Sequence, residues 1–435
     1  MLALVQRAAE GDGDGGDGVR GRAEQLKELE HRFALQARSR AQEQLPGFNA
    51  DAPPAHLPDY INGSVLSDVL LEDQAKADAP HEEVEGEEPY PGIYQMFRRA
   101  TTRGGVTFGT CIKPGMDVTP KMEMELAKTI GRRFESEQRP VGLVAGDDEC
   151  YEMFDALFSE VMRRCNEGRE APGVAAQPIE LEPHKVRDTN DVDPAGRFVV
   201  SCTVDGRRNI ATVALLPGAN TNDRREAEEI LSTAACGGDD EGGSEEEGGE
   251  GEGGGSGPYE GLAAPNAGVY YPMPDSWSHV GMQGGMEPGE AEQLKQREQL
   301  FERCRDVLRV SSGYGRDWPD ARGVYRSEDE RLFMWVNEQD HCRLFSSIPS
   351  ADIQQVPTKN RPHRLVSQLR CSHRRRFVRQ GFARWCAAMI GLEEGLKREG
   401  NAWARDSMLG YITACPSHVG TGGFRATVRM RTPLL

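Results

Sequence analysis

Short runs rich in β-branched and aromatic residues predict strands at four places in the chain. They are residues 197–205, 332–337, 409–414 and 425–431. Apolar positions at helical spacing occur in residues 20–44, where Leu26, Leu29 and Phe33 predict an appended helix. A second helix is expected over 223–235.

Segments of low hydrophobicity interrupt these elements. Residues 9–19 are rich in Gly and Asp, and residues 237–257 contain only Gly, Glu, Asp and Ser. The first segment is expected to be disordered. The second has no apolar side chain to bury, so it is expected to be a flexible surface loop. Residues 45–90 are rich in Pro and acidic residues and predict a connection, whereas 350–376 form a basic insertion.

The chain has 435 residues, which is enough for two or three domains with a sizeable core. Its net charge is −18. Much of the acidity lies in runs such as 82–88 and 239–252. The charge therefore describes solvated linkers better than a surface for basic partners.

Several classes of protein are disfavoured by the composition. The 10 cysteines form no Cys-x-x-Cys pair and no zinc-type cluster, so no protein-bound metal is expected. No apolar stretch is long enough for a membrane span, and the apolar run at Met1 is too short for a signal peptide. We therefore expect a cytoplasmic protein with free thiols.

The basic insertion raises the question of an anionic or protein partner. Its cations are Lys359, Arg361, Arg364, Arg370, Arg374, Arg375 and Arg376. Such a run can bind phosphate-bearing partners. No aromatic residue is interleaved for base stacking, so nucleic acid is disfavoured, while a protein partner through this insertion stays open.

The strongest chemical signal is Cys415. The run 409–414 delivers this cysteine to a Pro-Ser-His-Val-Gly-Thr-Gly turn at 416–422. The thiol should lie at a strand end in a tight, glycine-bent loop. If Ser417 and backbone N–H groups point at the sulfur, they should lower its pKa and make it the most reactive cysteine.

Three segments carry a family resemblance. Residues 415–421 resemble the Cys-Pro-Ser/Thr-Asn-x-Gly-Thr signature of the phosphagen kinases, which include the creatine and arginine kinases. Residues 316–323 read Arg-Asp-Trp-Pro-Asp-Ala-Arg-Gly, and 335–343 read Trp-Val-Asn-Glu-Gln-Asp-His-Cys-Arg. Both resemble motifs of that family and occur in the family's order. Residues 141–154 resemble a further family segment that opens a helix running to about Arg164.

The resemblance implies an α+β guanidino kinase fold in two parts. A small all-α domain that binds the guanidino substrate would span 90–180, and a catalytic domain with an antiparallel sheet flanked by helices would span 190–435. Residues 1–89 would be disordered or linker apart from the appended helix. The acidic 237–257 and basic 350–376 would be inserts, and the C-terminal part of the catalytic domain would be missing.

The implied activity is reversible phosphoryl transfer between ATP and a guanidino compound, with Mg²⁺ held through the nucleotide phosphates. Such chemistry depends on positioning and on charge stabilisation. By resemblance the catalytic residues are Glu338, Gln339 and Cys415. The nucleotide-binding positions are Ser201, Thr203, Asp205, Arg208, Arg343 and Arg425. The guanidino substrate would meet Gly115, Met116 and Cys415.

Some of these positions depart from the family pattern. Gln339 stands where the family has the glutamate that is its best candidate for general base, and a neutral amide cannot accept a proton. Thr203 and Asp205 stand where the family has arginines on ATP phosphates. Arg207 or Arg208 could compensate, with Arg208 the better match to the family. His418 replaces an asparagine; if protonated it would add to stabilisation of a thiolate.

The phosphate arginine that follows the cysteine is also displaced. Gly422-Gly423-Phe424 adds one residue before Arg425, which leaves the direction of that side chain open. These departures predict a slow or impaired kinase. A catalytically inactive binding or scaffold protein of the same fold, and an incomplete gene model, remain the alternatives, and the particular guanidino substrate stays open.

Overall fold

The computed structural model describes most of the chain between Phe48 and Met430. The described residues are 48–58, 64–79, 89–117, 140–165, 181, 199–236, 268–278, 284–304, 307–349 and 377–430. The helix predicted over 20–44 and the inserts 237–257 and 350–376 lie outside these ranges.

The helices of the described residues fall mainly before and after a central block of strands. They are α1 (Val65–Ala77), α2 (Ile93–Phe97), α3 (Phe108–Asp117), α4 (Glu149–Met153), α5 (Asp155–Cys165), α6 (Thr221–Cys236), α7 (Pro288–Gln296), α8 (Val307–Ser311) and α9 (Phe377–Arg398). None of these helices is both long enough and apolar enough to cross a bilayer.

Eight strands form two sheets within the described residues. They are β1 (Val199–Arg208), β2 (Gly268–Pro272), β3 (Gly323–Ser327), β4 (Leu332–Val336), β5 (Cys342–Pro349), β6 (Arg405–Asp406), β7 (Gly410–Tyr411) and β8 (Arg425–Met430). The main sheet has six strands in the order β2-β3-β4-β5-β1-β8, and every pair of neighbours is antiparallel. The α+β fold class predicted from the sequence is therefore confirmed.

Different residues pack against the two faces of the main sheet. Val204, Met334 and Leu344 point to one face, where they join a core with buried residues of α6 and α9. Phe333 and Phe345 point to the other face and stack with their ring centroids 4.5 Å apart. Because side chains alternate along a strand, the intervening residues of β1 and β5 are free to build a polar site beside those rings.

The helices before β1 share a second core. Phe108, Phe154 and Phe158 are fully buried in it. The helix expected to open within 141–154 and to run to about Arg164 is present, with a break at Phe154 between α4 and α5.

The assignment of 1–89 to linker is wrong for α1. Leu66, Val69 and Leu70 of this helix are buried in the core shared with α3 and α5. Ser64 caps the helix, since its hydroxyl accepts the Ser67 N–H at 3.1 Å and Ser67 reciprocates. A capping box of this kind starts a helix even after a Pro-rich connection.

The strand predicted over 409–414 does not join the main sheet. Within this run only Gly410 and Tyr411 pair as a strand, in a separate two-stranded sheet with β6. The remaining backbone groups bind other partners: the Ile412 N–H donates to the Ala404 carbonyl, and the Ala414 carbonyl accepts from Ala145 at 2.8 Å. The run therefore ties the helical core to the cysteine turn.

Candidate active site

Strands β1, β5 and β8 bring four charged side chains together. Asp205 lies directly opposite Arg425 on β8, and Arg207 lies opposite Arg343 on β5. Positions 201, 203, 205 and 207 share one face of β1 because successive side chains alternate. The charged groups thus gather on the face that does not carry the α6–α9 core.

Asp205 is the centre of this cluster. Its Oδ1 accepts from the Arg343 Nη2 at 3.1 Å, and its Oδ2 accepts from the Arg425 Nε at 2.9 Å. The Asp205 side chain is 4% exposed. Two of the three arginines that the resemblance assigns to the nucleotide, Arg343 and Arg425, are therefore paired with a buried carboxylate of the chain itself.

Burial also changes the pKa of Arg343. Desolvation lowers the pKa of this guanidinium to about 10, and neighbouring Arg207 acts in the same direction. Arg343 also lies over the ring of Phe345, with its guanidinium carbon 4.7 Å from the ring centroid. Arg343 remains a cation at neutral pH, but its charge is confined beside Asp205.

Ser201 and Thr203 extend the same face of β1. Thr203 lies opposite Ser347, and the two hydroxyl oxygens are 3.3 Å apart. Ser201 and Thr203 each offer a hydroxyl group and no positive charge. The structure thus places these two sequence-predicted residues on the face of Asp205.

Arg208 points away from this face. It is fully buried, and its guanidinium carbon lies 3.6 Å from the centroid of the Tyr411 ring. Its Nη1 donates to the carbonyls of Arg207 at 2.6 Å and Thr421 at 3.3 Å. Arg208, which matches the family better than Arg207 does, therefore does not lie on the face of Asp205.

Arg207 joins the charged cluster instead. Its Nη2 donates to the Gln339 Oε1 at 3.3 Å, and its Nε lies 3.5 Å from the Asp340 Oδ2. The side chain is 5% exposed. The period-two alternation from Asp205 was the sequence signal for this placement.

The extra residue before Arg425 is absorbed by two glycines. Gly422 and Gly423 have φ angles of +70° and +59°, a region that side chains with a Cβ rarely adopt. The Gly422 carbonyl accepts the Arg207 N–H at 2.8 Å. The turn closes on β1 and directs Arg425 to Asp205.

Glu338 lies in the turn between β4 and β5. Its Oε1 accepts from Arg309 at 3.2 Å, and its Oε2 lies 4.0 Å from the Arg343 Nη1. The Glu338 side chain is 9% exposed. The structure thus places this carboxylate between α8 and the arginine cluster.

Asp340 and His341 hold the same turn in place. The Asp340 Oδ1 accepts from the Asn209 amide at 2.7 Å and from the Ala414 N–H at 2.8 Å. The His341 Nδ1 accepts the Ile210 N–H at 3.1 Å. Burial lowers the pKa of His341 to about 4, so its ring is neutral near pH 7. These bonds join the turn to β1 and to the cysteine run.

Cys415 precedes a 3₁₀ turn, Pro416–His418. Its sulfur lies 3.1 Å from the Ser417 hydroxyl oxygen, as the sequence predicts. Burial nevertheless raises the pKa of the thiol, and this outweighs the lowering by Ser417. The expectation of a lowered pKa is therefore wrong, because the desolvation of the sulfur is a property of tertiary packing.

His418 lies on the arginine side of this turn. Burial, followed by the nearby charges of Arg207, Arg343 and Arg425, lowers its pKa to about 3. A Cβ at Gly423 would lie 3.0 Å from the His418 ring, which shows how closely the two loops pack. His418 is therefore neutral near pH 7 and adds no positive charge to the thiol.

Gly115 and Met116 are placed in the last turn of α3 and not in an open loop. Met116 is 1% exposed in the helical core. The Gly115 N–H donates to the Gly142 carbonyl at 2.8 Å, and a Cβ at Gly115 would meet Leu66 at 2.6 Å. Gly115 and Met116, which were expected to meet the guanidino substrate, instead pack inside the helical core.

A cleft lies beside Glu338. It is lined by Phe301, Glu302, Cys304, Arg309, Tyr314, Trp318, Glu338 and Gln339. It combines aromatic rings with charges of both signs. Sequence reasoning missed Arg309, since no motif includes it.

The described residues contain no group of three His, Cys, Asp or Glu side chains that could hold a metal ion. The side chains at the predicted nucleotide-binding positions fit a nucleotide phosphate poorly. Arg343 and Arg425 have suitable guanidinium groups, but the Asp205 carboxylate already accepts from both.

Comparison with known proteins assigns the chain to a family. The model of the N-terminal domain of ATP:guanido phosphotransferases matches residues 90–163, and the model of their C-terminal catalytic domain matches 273–370 and 368–435. The chain belongs to the ATP:guanido phosphotransferase, or phosphagen kinase, family.

Individual relatives agree with this assignment. The chain is 29% identical over 343 residues to the flagellar creatine kinase of Strongylocentrotus purpuratus, covering 79% of this chain and 23% of that protein. It is 27% identical over 339 residues to the lombricine kinase of Eisenia fetida, covering 78% of this chain and 69% of that one. A crystal structure of lombricine kinase superposes with a TM-score of 0.59 at 25% identity, covering 87% and 76% of the two chains.

Proposed function

We propose that this chain is a guanidino kinase in which Asp205 weakens binding of nucleotide phosphates, so that phosphoryl transfer from ATP is slow. The observation that carries the proposal is the Arg343–Asp205–Arg425 arrangement, with contacts of 3.1 and 2.9 Å. Family membership supports the reaction class, and Asp205 accounts for the reduced rate.

Asp205 acts through charge. A phosphate that approaches Arg343 or Arg425 must break a charge-assisted hydrogen bond or accept a carboxylate nearby. Such bonds are worth about 1.5–3 kcal/mol each, which corresponds to about 10–100-fold in affinity. The same carboxylate opposes the negative charge of a phosphoryl group in transfer, where positive groups supply most of the stabilisation.

Gln339 limits the rate independently. Its amide cannot take a proton from the guanidino substrate, and its Oε1 accepts from Arg207. Loss of a general base costs about 10²–10⁴-fold in rate. Glu338 would then hold the substrate guanidinium, with Cys415 beside it. Mg²⁺ would be carried by the nucleotide phosphates.

Phosphotransfer from MgATP to a panel of guanidino compounds tests the proposal. We expect turnover below about 1 s⁻¹, against the 1–100 s⁻¹ typical of kinases. Gln339→Glu should raise the rate about 10²-fold or more. Gln293→Glu on the exposed side of α7 is the matched control and should not. Turnover within the kinase range for the unaltered chain would contradict the proposal.

The second candidate is a binding protein that performs no transfer. Gln339 favours it, because this amide removes the proton acceptor while leaving a hydrogen-bonding group. A protein that binds guanidino compounds but shows no transfer, even with Gln339→Glu and Asp205→Arg together, would establish this alternative.

A further inference from the structure

The ion pair between Arg309 and Glu338 is incomplete. One arginine nitrogen contacts one carboxylate oxygen, Nη1 to Oε1, at 3.2 Å. The other oxygen, Oε2, is buried and accepts no hydrogen bond within the described residues. A carboxylate usually binds a guanidinium through two parallel hydrogen bonds, so Glu338 has capacity for a better partner.

The side chains of Arg309 and Glu338 differ in solvent exposure. The Glu338 side chain is 9% exposed, whereas that of Arg309 is 44% exposed. Arg309 also lies on α8, a helix of only five residues. Separation of the pair therefore disturbs less buried surface if Arg309 moves than if Glu338 moves.

Both members of the pair line the cleft beside Glu338. Phe301, Tyr314 and Trp318 contribute aromatic surface to the same cleft. Planar guanidinium groups stack on such rings and bind carboxylates. A guanidinium that enters this cleft would find an unsatisfied carboxylate oxygen beside aromatic walls.

We propose that Arg309 is a specificity-determining residue for the guanidino substrate. Without ligand, its guanidinium occupies Glu338 in place of the substrate. When the substrate guanidinium binds Glu338, Arg309 is released and pairs with an anionic group at the other end of the substrate. This inference rests on the proposed role of Glu338 in holding the guanidinium.

The charges of a ligand determine whether it can replace the Arg309–Glu338 ion pair. A guanidino acid carries one positive and one negative group, so it can replace both partners of the internal ion pair. A simple alkylguanidinium takes Glu338 but leaves Arg309 without that carboxylate and adds a positive charge near Arg343. Specificity then arises from the penalty on the wrong ligand as well as from the contact with the right one.

Calorimetric titration without nucleotide tests this inference. The probes are guanidinoacetate, which has a carboxylate, and methylguanidine, which has none. The unaltered chain should bind guanidinoacetate at least about tenfold more tightly, since one charge-assisted bond is worth that much. In Arg309→Gln, methylguanidine should bind more tightly, and the preference for guanidinoacetate should fall about tenfold.

Arg163→Gln is the matched control. Arg163 is an exposed arginine on α5 that pairs with Glu160 at 2.8 Å, so its replacement removes the same charge elsewhere. This variant should keep the preference of the unaltered chain. Arg309→Lys keeps the charge and should retain most of the preference. Arg309→Ala removes the charge and should lose the preference, which keeps the test decisive if Arg309→Gln does not fold.

The outcomes separate the two proposals. If Arg309→Gln binds the two probes with the original ratio, the role of Arg309 is refuted while guanidino binding stands. If neither probe binds to the unaltered chain or to the Arg309 variants, the inference and the guanidino part of the proposed function both fail.

Discussion

Asp205 and Arg425 face each other in register across β1 and β8, with the Arg425 Nε 2.9 Å from the Asp205 Oδ2. The two residues are 220 positions apart in the chain. The pair places a negative charge of the protein where the family resemblance implies phosphate.

Replacing Asp205 by Asn should lower stability and raise the response to anions. The change leaves Arg343 and Arg425 without their carboxylate, and removing one partner from a buried ion pair costs about 3–5 kcal/mol. Partial exposure of Arg425 should reduce this figure. Urea unfolding should show the loss, and inorganic phosphate should restore more stability to Asp205→Asn than to the unaltered chain.

An exposed aspartate supplies the control for that experiment. Asp155→Asn on α5 removes the same charge without touching the cluster. It should change neither stability nor the phosphate response appreciably. Equal phosphate stabilisation of all three proteins would contradict the proposed competition.

Cys415 should react slowly with alkylating reagents at pH 7. Its pKa is raised by burial, so the thiolate fraction at that pH is small, and the rate should climb only in alkaline solution. Ser417→Ala removes a contact that lowers the pKa and should shift the rate profile to still higher pH.

Mass spectrometry of each alkylated cysteine against pH measures this shift. Ser407→Ala, in an exposed turn, is the comparison variant and should leave the Cys415 profile unchanged. A Cys415 rate that is already maximal at pH 7 would show that the sulfur is not desolvated as described.

The buried histidines should make the protein sensitive to mild acid. The pKa values of His341 and His418 are about 4 and about 3 in the folded state, against 6.5 unfolded. The unfolded state therefore binds more protons between these values. Their contribution is present above about pH 6.5 and is lost as pH falls toward 3–4.

The free energy of unfolding, measured between pH 7 and pH 4, tests whether stability falls on acidification. Each histidine contributes a slope of at most about 1.4 kcal/mol per pH unit. His418→Asn should remove its part of the slope and leave that of His341. Stability that rises on acidification through this window would contradict the assignment.

Gly206 should not tolerate a side chain. A Cβ there would lie 2.6 Å from the Trp385 ring, which packs between β1 and α9. Gly206→Ala should lower the unfolding free energy by about 1–3 kcal/mol through overpacking. Gly289→Ala on α7 meets no atom within 4 Å and should be neutral or stabilising. Equal thermal melting of the two variants would refute this packing.

The sequence predicted the elements whose signal is local. Strand β4, helix α6 and the Cys415–Ser417 contact follow from short-range patterns and motifs. The alternation along β1 also explains why Arg207 joins Asp205 on one face.

What could not be read from sequence depends on distant contacts. Arg343 and Asp205 are 138 positions apart, and no local pattern indicates that they pair. Helix α1 was missed because acidic and Pro-rich composition obscured its capping box and its buried stripe. The raised pKa of Cys415 reflects burial, which a motif does not encode.

Equilibrium titration with MgADP tests the central claim about Asp205 most directly. We expect weak, salt-sensitive binding by the unaltered chain, and binding about tenfold or more tighter by Asp205→Asn, since one opposing charge-assisted contact is removed. Replacing Arg343 and Arg425 together by Ala should abolish the gain. Sub-micromolar binding by the unaltered chain that survives replacement of both arginines would contradict the account.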